Sequence, residues 1–536
     1  MASQLPEDVL LEIFSFLDAF SLLQVSKVSK YWKNVAETEF LWRNLYVQKW
    51  FLRKPFQLQG TQTWKQLFLH LTKKERQMDL AQPEDFNVKE PRGNFGVIGP
   101  MAYFSGPTTD EQEKSILCAV SSNCILYAWD VQEGTVIWRS PVQRSQLLTL
   151  TTLPQMRLVF TVDVEGIVKM WNCLNENALG VIHMPDPCFS LESCLTAEGP
   201  FLVAGSIKGN IYTMTVPELK EVSKVNAFTC RVDFLQFSPD KKWLCASGTH
   251  QAISPMIYLT ECLLSSTRSH LPVILTVPYA SCCRISWASR RPNRIVVMFR
   301  NYLFKRTGFI TFDLRAQQNE GEIVTKANPI ASFQLPARMG SPVWMVSDRN
   351  LIAFESGPRL FLYTIHGHMM KQFDCHLRNF GTLWSDSVHV LTTTMDNTLH
   401  MYMWEEGDNE PYLKHCFNLR YTGPLRHSPN YYVSRAICDN RSIVYVMSKS
   451  YESSTLLMYS LKNVLTKEDE GWCREGQETC MPRVPLKSIG PSRIRINCQR
   501  PTKPQYEAPD TRHEIVMSPL SITLPSPFLW LGNGDS

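Results

Sequence analysis

The spacing of apolar residues changes once along the chain, from a helical period to the period of a strand. Between residues 5 and 45, apolar side chains such as Leu10, Phe14 and Leu17 recur three and four positions apart, which places them on one face of a helix. The pattern predicts three short amphipathic helices, the first beginning near Pro6 and the third ending near Trp42. Helices this small bury little apolar area alone, so we expect them to pack against a partner or a neighbouring domain.

A further helix is predicted after residue 60. Trp64, Leu67, Phe68 and Leu71 fall at positions i, i+3, i+4 and i+7, which gives the helix one apolar face. From residue 83 to 107, proline and glycine interrupt the pattern. We predict a loop there and place the domain boundary in it.

From about residue 108 the period becomes alternating, and a motif repeats. Trp129, Trp171 and Met214 each lie near the end of a strand-like run and are 42 and 43 residues apart. A period of 40–45 residues with a strand ending in Trp-Asp, as at Trp129-Asp130, is typical of a four-stranded propeller blade. Looser copies continue to residue 461, so the sequence predicts seven or eight degenerate blades over 108–466. A large β-sandwich does not account for such a repeat.

The segment 467–536 is rich in proline and loses the alternating pattern. It is predicted to be mostly disordered. The alternative is that its apolar run at 528–531 returns to close the propeller against an early strand.

Composition restricts the classes of protein that fit. The 536 residues are 44% hydrophobic and 20% charged, with a formal net charge of +5, which suits a soluble protein of several domains and does not favour a nucleic-acid partner. The first residues lack the features of a secretory signal, and no run reaches the roughly 18–20 apolar residues of a membrane helix. We therefore expect a cytoplasmic or nuclear protein, or one present in both, whose 16 cysteines are reduced.

The helical unit carries a specific set of residues in a fixed order. They are Leu5-Pro6-x-Asp8, the run from Ile13 to Leu17, Leu22-Leu23, Val25, Val28-Ser29-x-x-Trp32 and Leu41-Trp42-Arg43. This set resembles an F-box from end to end, although Asp8 stands where the family usually has Glu and Ser29 where it often has Cys. The alternative is an ordinary helical hairpin that caps the domain behind it. With the Trp-Asp repeats, the whole chain resembles the F-box/WD-repeat family.

The resemblance implies an α+β multidomain fold. The F-box spans 1–46, a helical linker 47–82, the boundary loop 83–107, an all-β WD-type propeller 108–466 and the tail 467–536.

The resemblance also implies the substrate-recognition subunit of a Skp–cullin–F-box (SCF) ubiquitin ligase. In such a complex the F-box binds a Skp-type adaptor, which docks on a cullin scaffold, and the propeller binds a protein substrate, phosphorylated or not. The residues implied to contact the adaptor are Leu5, Pro6, Ile13, Leu17 and Val25. The alternative is a non-degradative F-box/WD interaction scaffold without ligase function.

Signatures of catalysis and of metal binding are absent from the sequence. There is no phosphate-binding G-x-x-x-x-G-K, no H-E-x-x-H and no G-x-S-x-G. His366-x-His368 and Cys282-Cys283 have no partners at metal-ligand spacing. We therefore predict a non-enzymatic chain with no catalytic residue, no metal site and no cofactor.

One interval of the propeller is strongly basic. No acidic residue lies between Cys262 and Phe312, whereas Arg284, Arg290, Arg291 and Arg294 all do. Arginine side chains suit phosphate oxygens, and related F-box/WD ligases bind phosphorylated segments through arginines, so these four are predicted to bind substrate. One alternative is a solvated basic hairpin on the outer circumference. A nucleic-acid patch is another.

Overall fold

A computed structural model describes most of the chain from residue 5 to residue 462. The described ranges are 5–50, 63–105, 114–248, 253–264, 272–277, 280–301, 303, 305–319, 322–374, 380–405, 412–421, 431–449 and 453–462. The predicted tail and its apolar run at 528–531 lie outside these ranges.

Five helices form the first unit. They are α1 (Glu7–Ser15), α2 (Ala19–Val25), α3 (Lys30–Ala36), α4 (Glu39–Trp50) and α5 (Trp64–Glu75). Side chains cap three of them, because Asp18, Ser29 and Thr63 each accept a backbone N–H in the first turn that follows. The predicted third helix is wrong in one respect: the chain breaks at Glu37-Thr38, so that α3 and α4 are separate.

Aromatic side chains hold the helical unit together. Trp42, Tyr46, Trp64 and Phe68 are all buried, and α5 folds back on α4 with ring centroids 5.6 Å apart for Trp42 and Phe68 and 5.1 Å apart for Tyr46 and Trp64. Buried aromatic rings supply much of the apolar area that so small a unit can gain.

The rest of the described chain forms eight antiparallel sheets of four strands each. The first four blades are β2 (Ile98–Tyr103), β3 (Ile116–Ser121), β4 (Ile125–Asp130), β5 (Thr135–Arg139); β6 (Leu147–Leu153), β7 (Leu158–Asp163), β8 (Ile167–Trp171), β9 (Gly180–His183); β10 (Cys188–Leu195), β11 (Pro200–Ser206), β12 (Asn210–Thr215), β13 (Glu221–Asn226); and β14 (Val232–Phe237), β15 (Trp243–Gly248), β16 (Met256–Leu259), β17 (Val273–Ile274), with the short helix α6 (Thr260–Leu263) before β17.

The fifth to seventh blades are β18 (Ala280–Trp287), β19 (Arg294–Asn301), β20 (Thr307–Asn319), β21 (Glu322–Gln334); β22 (Met345–Asp348), β23 (Leu351–Ser356), β24 (Arg359–Thr364), β25 (Met369–Phe373); and β26 (Phe380–Ser385), β27 (His389–Thr394), β28 (Thr398–Glu405), β29 (Tyr412–Arg420). The eighth combines β30 (Tyr432–Cys438), β31 (Ser442–Ser448) and β32 (Thr455–Leu461) with β1 (Phe86–Lys89). The predicted number of blades, seven or eight, is thus resolved as eight.

An early strand closes the ring. β1 pairs with β32 in the register Phe86↔Leu461 to Lys89↔Met458 and becomes the outermost strand of the last blade. The prediction of a loop over 83–107 is corrected here, since β1 and β2 both lie in that interval. Proline and glycine between these short strands mask their alternating pattern.

Every seam between neighbouring blades is filled by its own apolar cluster. At the seam of the first and eighth blades, for example, Trp129 and Leu117 pack with Val444 and Met458, and a separate cluster occupies each of the other seven seams. The core is therefore a ring of similar contacts between blades, as expected for a repeat protein.

The ring has two distinguishable faces. The first strand of each blade is the innermost, and all innermost strands run in the same direction because each blade has four antiparallel strands. Turns joining the first to the second and the third to the fourth strand therefore share one face, and the remaining connections share the other. We name the first the linker face, because the turn after α5 contacts the propeller there. We name the second the far face.

Candidate functional site

An apolar face of the helical unit is exposed to solvent. Leu5 lies just before α1, and Val9 and Ile13 follow it on α1 at intervals of four. Their exposed fractions are 49%, 41% and 46%. Phe16 is 84% exposed and Phe20 is 51% exposed at the junction of α1 and α2. Contiguous apolar groups that stay in water mark an interaction surface. We call this set, with Val28, the helical apolar face.

The inner side of the same helices fixes the position of this face. Leu10 and Phe14 point into the core of the unit, and the Phe14 ring meets Trp32 at a centroid distance of 5.6 Å. The hydroxyl of Tyr31 donates to the carbonyl oxygen of Leu5 at 3.1 Å, which ties the start of α1 to α3. The face is therefore presented by a packed scaffold.

The five predicted adaptor contacts divide into two groups. Leu5, Pro6 and Ile13 are exposed, whereas Leu17 and Val25 are partly buried and pack against the helical core. Residue patterns alone missed the exposed members Val9, Phe16, Phe20 and Val28. The four-residue spacing from Leu5 through Val9 to Ile13 was the signal that could have identified the first of them.

The linker is fastened to the propeller by an ionic cluster, which we call the clasp. Arg76 directly follows α5, and its guanidinium donates to Asp79 at 2.9 Å and to Glu405, at the end of β28, at 2.7 Å. Lys414 of β29 bonds to the other oxygen of Asp79. Burial opposes ionisation of Asp79, but Lys414 and Arg76 outweigh it and lower the pKa of that carboxyl. The clasp lies on the linker face, beside the third-to-fourth-strand connection of the seventh blade.

Three of the four predicted substrate-binding arginines form structural ion pairs. Arg294 is 3% exposed, and its guanidinium donates to both oxygens of Asp313 at 2.7 and 2.9 Å. Arg291 bonds to the same carboxylate at 2.9 Å, and Arg290 donates to Asp348 at 2.6 Å. These ion pairs make the three arginines less available to an anionic ligand, and their role in substrate binding stays a prediction. They lie near the turn between β18 and β19, on the linker face, and their charges are locally neutralised.

Arg284 differs from the other three. It lies on β18, the innermost strand of its blade, where its guanidinium stacks 4.0 Å from the centroid of Trp344 and Nε donates to the carbonyl oxygen of Val343 at 3.2 Å. Desolvation lowers the pKa of Arg284.

Arg435 on β30 is a second cation on an innermost strand, which the sequence did not single out. Its side chain is exposed, and desolvation by the neighbouring protein lowers the pKa of Arg435. Within the described residues no ionic partner is assigned to it. Arg284 and Arg435 are therefore better candidates for binding an anionic group than the cluster at the β18–β19 turn.

The far face carries exposed apolar side chains in the turns of four blades and on two connections between blades. They are Val142, Val164, Ile207, Leu303, Val343 and Met395, and their exposed fractions run from 41% to 71%. Single exposed apolar residues are common on any protein. Their recurrence around one face of a ring instead suggests a broad surface for binding another protein.

The Trp-Asp motif residues have positions inside the blades. Trp129 and Trp171 are buried, and the indole N–H of Trp171 donates to the Thr161 hydroxyl at 3.0 Å. Asp130 accepts the backbone N–H groups of Gln132 and Glu133 at 3.0 and 3.1 Å, which shapes the turn after β4. Among the described residues, no helix is long and apolar enough to cross a membrane.

Comparison with known proteins agrees with this architecture. Residues 2–48 match the family model described as F-box-like. The human F-box/WD repeat-containing protein 12 is 45% identical over 465 residues, which cover 86% of this chain and 100% of that protein. The mouse F-box/WD repeat-containing protein 15 is 33% identical over 467 residues, covering 86% and 99% respectively. An F-box-like helical unit that exposes an apolar face, joined to an eight-bladed WD-type propeller, makes this chain a member of the F-box/WD-repeat family.

Proposed function

We propose that this chain is the substrate-recognition subunit of an SCF-type ubiquitin ligase. Its helical apolar face binds a Skp-type adaptor, the adaptor docks on a cullin, and the far face of the propeller binds the protein substrate. The observation that carries the proposal is the exposed set of apolar residues Leu5, Val9, Ile13 and Phe16 on the helical unit. The clasp lies on the linker face of the propeller. The recurring exposed apolar residues lie on the far face.

The chain contributes no chemical step in this proposal. Ubiquitin transfer is accelerated because the complex holds a substrate lysine near the loaded conjugating enzyme, and such positioning alone can supply a large rate enhancement. We place this activity in the cytoplasm, the nucleus or both, which fractionation of cells expressing the chain tests directly.

Co-purification with the adaptor and the cullin tests the first half of the proposal. Leu5→Ala/Ile13→Ala/Phe16→Ala removes three anchors of the helical apolar face, each worth about 2 kcal/mol or more if it is a binding hot spot. The control is Val136→Ala/Ile137→Ala/Val181→Ala, which truncates three exposed apolar residues on the outermost strands β5 and β9.

We expect the first variant to lose both partners while remaining folded, and the control to retain them. Equal recovery of the adaptor with both variants would contradict the proposal that the helical apolar face binds the adaptor. Recovery of the adaptor without cullin would instead favour the interaction scaffold that lacks ligase function.

A phosphorylated substrate segment is the finer proposal for the propeller. Arg284 and Arg435 supply guanidinium groups on innermost strands, and guanidinium suits phosphate oxygens. We expect Arg284→Glu and Arg435→Glu to weaken capture of a phosphorylated substrate, with Arg139→Glu on the exposed outer strand β5 as the matched charge control. Undiminished capture by both variants, or equal competition by RNA and by phosphopeptide, would contradict phosphate recognition by these residues.

A further inference from the structure

Three potential metal ligands meet at the seam of the seventh and eighth blades. Asp386 and His389 belong to the turn that joins β26 to β27, and Cys438 is the last residue of β30. One ligand atom from each of the three lies within 4.8 Å of the other two. His389 is 0% exposed and Cys438 is 3% exposed, whereas the side chain of Asp386 is 34% exposed, so the cluster reaches from the buried seam to the linker face.

A second turn of the same construction shows what the fold itself requires at this place. In the eighth blade, Asp439 accepts the backbone N–H groups of Arg441 and Ser442 at 2.8 and 2.7 Å and the Ser442 hydroxyl at 3.0 Å. An aspartate at the first position and a small hydroxyl residue at the fourth are therefore enough to form the hydrogen bonds that close this four-residue turn.

The seventh blade places an imidazole where the eighth has that hydroxyl. Asp386 accepts the backbone N–H groups of Val388 and His389 at 2.7 and 2.6 Å, so the turn is closed in the same way. The second oxygen of Asp386 lies 2.9 Å from Nδ1 of His389. Nε2 of His389 is then surplus to the turn, and among the described residues it is buried without a hydrogen-bond partner.

The turn does not need the imidazole of His389, which places a nitrogen ligand beside the carboxylate of Asp386. Imidazole, carboxylate and thiolate are all groups that zinc binds in proteins. The neighbouring thiol of Cys438 supplies the soft ligand that a transition metal such as zinc favours.

We propose that Asp386, His389 and Cys438 form a binding site for Zn²⁺ or a similar divalent transition metal. The metal takes Nδ1 of His389, the thiolate of Cys438 and one carboxylate oxygen of Asp386, and the protons on the thiol and on Nδ1 are released to solvent on binding. Nδ1 and a carboxylate oxygen of Asp386 are already 2.9 Å apart, so metal–ligand bonds of about 2.0–2.3 Å require mainly an approach of the Cys438 sulfur. The bound metal would join the two blades at a seam that otherwise depends on apolar packing.

Cobalt(II) is the probe that tests the site, because a thiolate bound to it gives a charge-transfer absorption band. Purified full-length chain, freed of metal with a chelator, is titrated with Co²⁺ and then with competing Zn²⁺. We compare it with Cys438→Ser, with His389→Ser, which restores the hydroxyl found in the eighth blade, and with Cys416→Ser. The last variant removes a partly buried thiol on β29 of the same blade and serves as the control.

We expect the original chain and Cys416→Ser to show the band and to bind one more equivalent of Co²⁺ than Cys438→Ser or His389→Ser. Zn²⁺ should abolish the band and raise the melting temperature of the original chain but not of these two variants. A missing band, or a band of equal strength in Cys438→Ser and His389→Ser, overturns the proposal. Because His389→Ser keeps the turn, a misfolded Cys438→Ser would not leave the question open.

Discussion

At the residue scale, the clearest departure from the sequence-based interpretation concerns the arginines of the fifth blade. The basic interval ends one residue before Asp313, and that residue neutralises Arg294 and Arg291. Asp348, which pairs with Arg290, is 58 residues away in the chain and belongs to the next blade. Local charge counts cannot detect partners supplied by pairing between strands and between blades. The same limit explains why Leu17 and Val25 were grouped with exposed contacts although they pack inward.

Arg294 provides the first prediction. Asp313→Ala leaves the buried guanidinium of Arg294 without its carboxylate, and breaking a buried ion pair from one side costs about 3–5 kcal/mol. We expect the melting temperature to fall markedly. Asp374→Ala, which removes the partner of the exposed Arg359, should change stability by less than about 1 kcal/mol. Similar melting temperatures for the two variants would show that the Arg294 pair does not stabilise the blade.

Glu192 on β10 provides a pH-dependent prediction. Burial raises the pKa of Glu192 from 4.5 to about 7, against the charge of Lys241. The folded protein therefore holds this proton more tightly than the unfolded chain does, and the contribution of Glu192 to the free energy of unfolding decreases as pH rises from about 4.5 to about 7. Glu192→Gln cannot ionise and removes this loss, which is on the order of 3 kcal/mol.

Thermal unfolding of both proteins at several pH values between about 5 and about 8 checks this expectation. The variant should gain stability relative to the original chain as pH rises, with the difference levelling off above the raised pKa. Parallel profiles for the two proteins would contradict the assignment.

At the scale of elements, the sequence predicted best the strands that repeat a specific motif. The strands ending in Trp129 and Trp171 were located because a bulky apolar residue recurs there at a fixed interval. Outermost strands are more exposed, as in β5, where four of five residues are exposed. They therefore lack the alternation of apolar and polar residues that identifies a strand.

The turn at Gly209 was also predictable. Its φ of +81° favours glycine, and an added Cβ would overlap the Phe228 carbonyl oxygen.

Closure by β1 yields a prediction at this scale. Phe86 is 6% exposed and its ring lies 5.1 Å from that of Phe417, so Phe86→Ala should cost about 3–5 kcal/mol through the cavity it leaves. Val88 on the same strand is 52% exposed, and Val88→Ala should change stability little. Hydrogen exchange of β32 measures the effect directly. Equal protection of β32 in the two variants would mean that β1 does not secure the ring.

At the scale of the whole molecule, the family resemblance supplied the order of units, and the structure added how two of them are joined. A four-residue strand such as β1 is too short to stand out from a segment rich in proline and glycine, so closure of the ring could not be predicted. The clasp likewise joins Asp79 to Lys414, 335 residues away, and no local pattern connects them.

The clasp gives a prediction about the complete protein. Asp79 is 8% exposed and bonds to both Arg76 and Lys414, so Asp79→Asn leaves two cations with weakened partners. We expect several-fold faster hydrogen exchange at the end of α5 and in the turn after it, with the propeller strands unchanged. Under the proposed function, ubiquitin transfer to a bound substrate slows while adaptor and substrate affinities stay constant.

The exposed pair of Arg359 and Asp374 again offers the control, because Arg359→Gln removes an ionic contact far from the linker along the chain. If Asp79→Asn and Arg359→Gln give the same exchange pattern and the same transfer rate, the clasp has no part in positioning the helical unit.

The strand that closes the ring is made long before the strands it closes. The ribosome completes β1 at residue 89 and reaches the end of β32 at residue 461, and at about 5–20 residues per second this interval of 461 − 89 = 372 residues lasts roughly 20–75 s. During that time the helical unit and its apolar face have already emerged, whereas the eighth blade does not yet exist. Under the proposed function, capture of the adaptor by the nascent chain and completion of the propeller that binds the substrate are therefore separate events, and the first can precede the second.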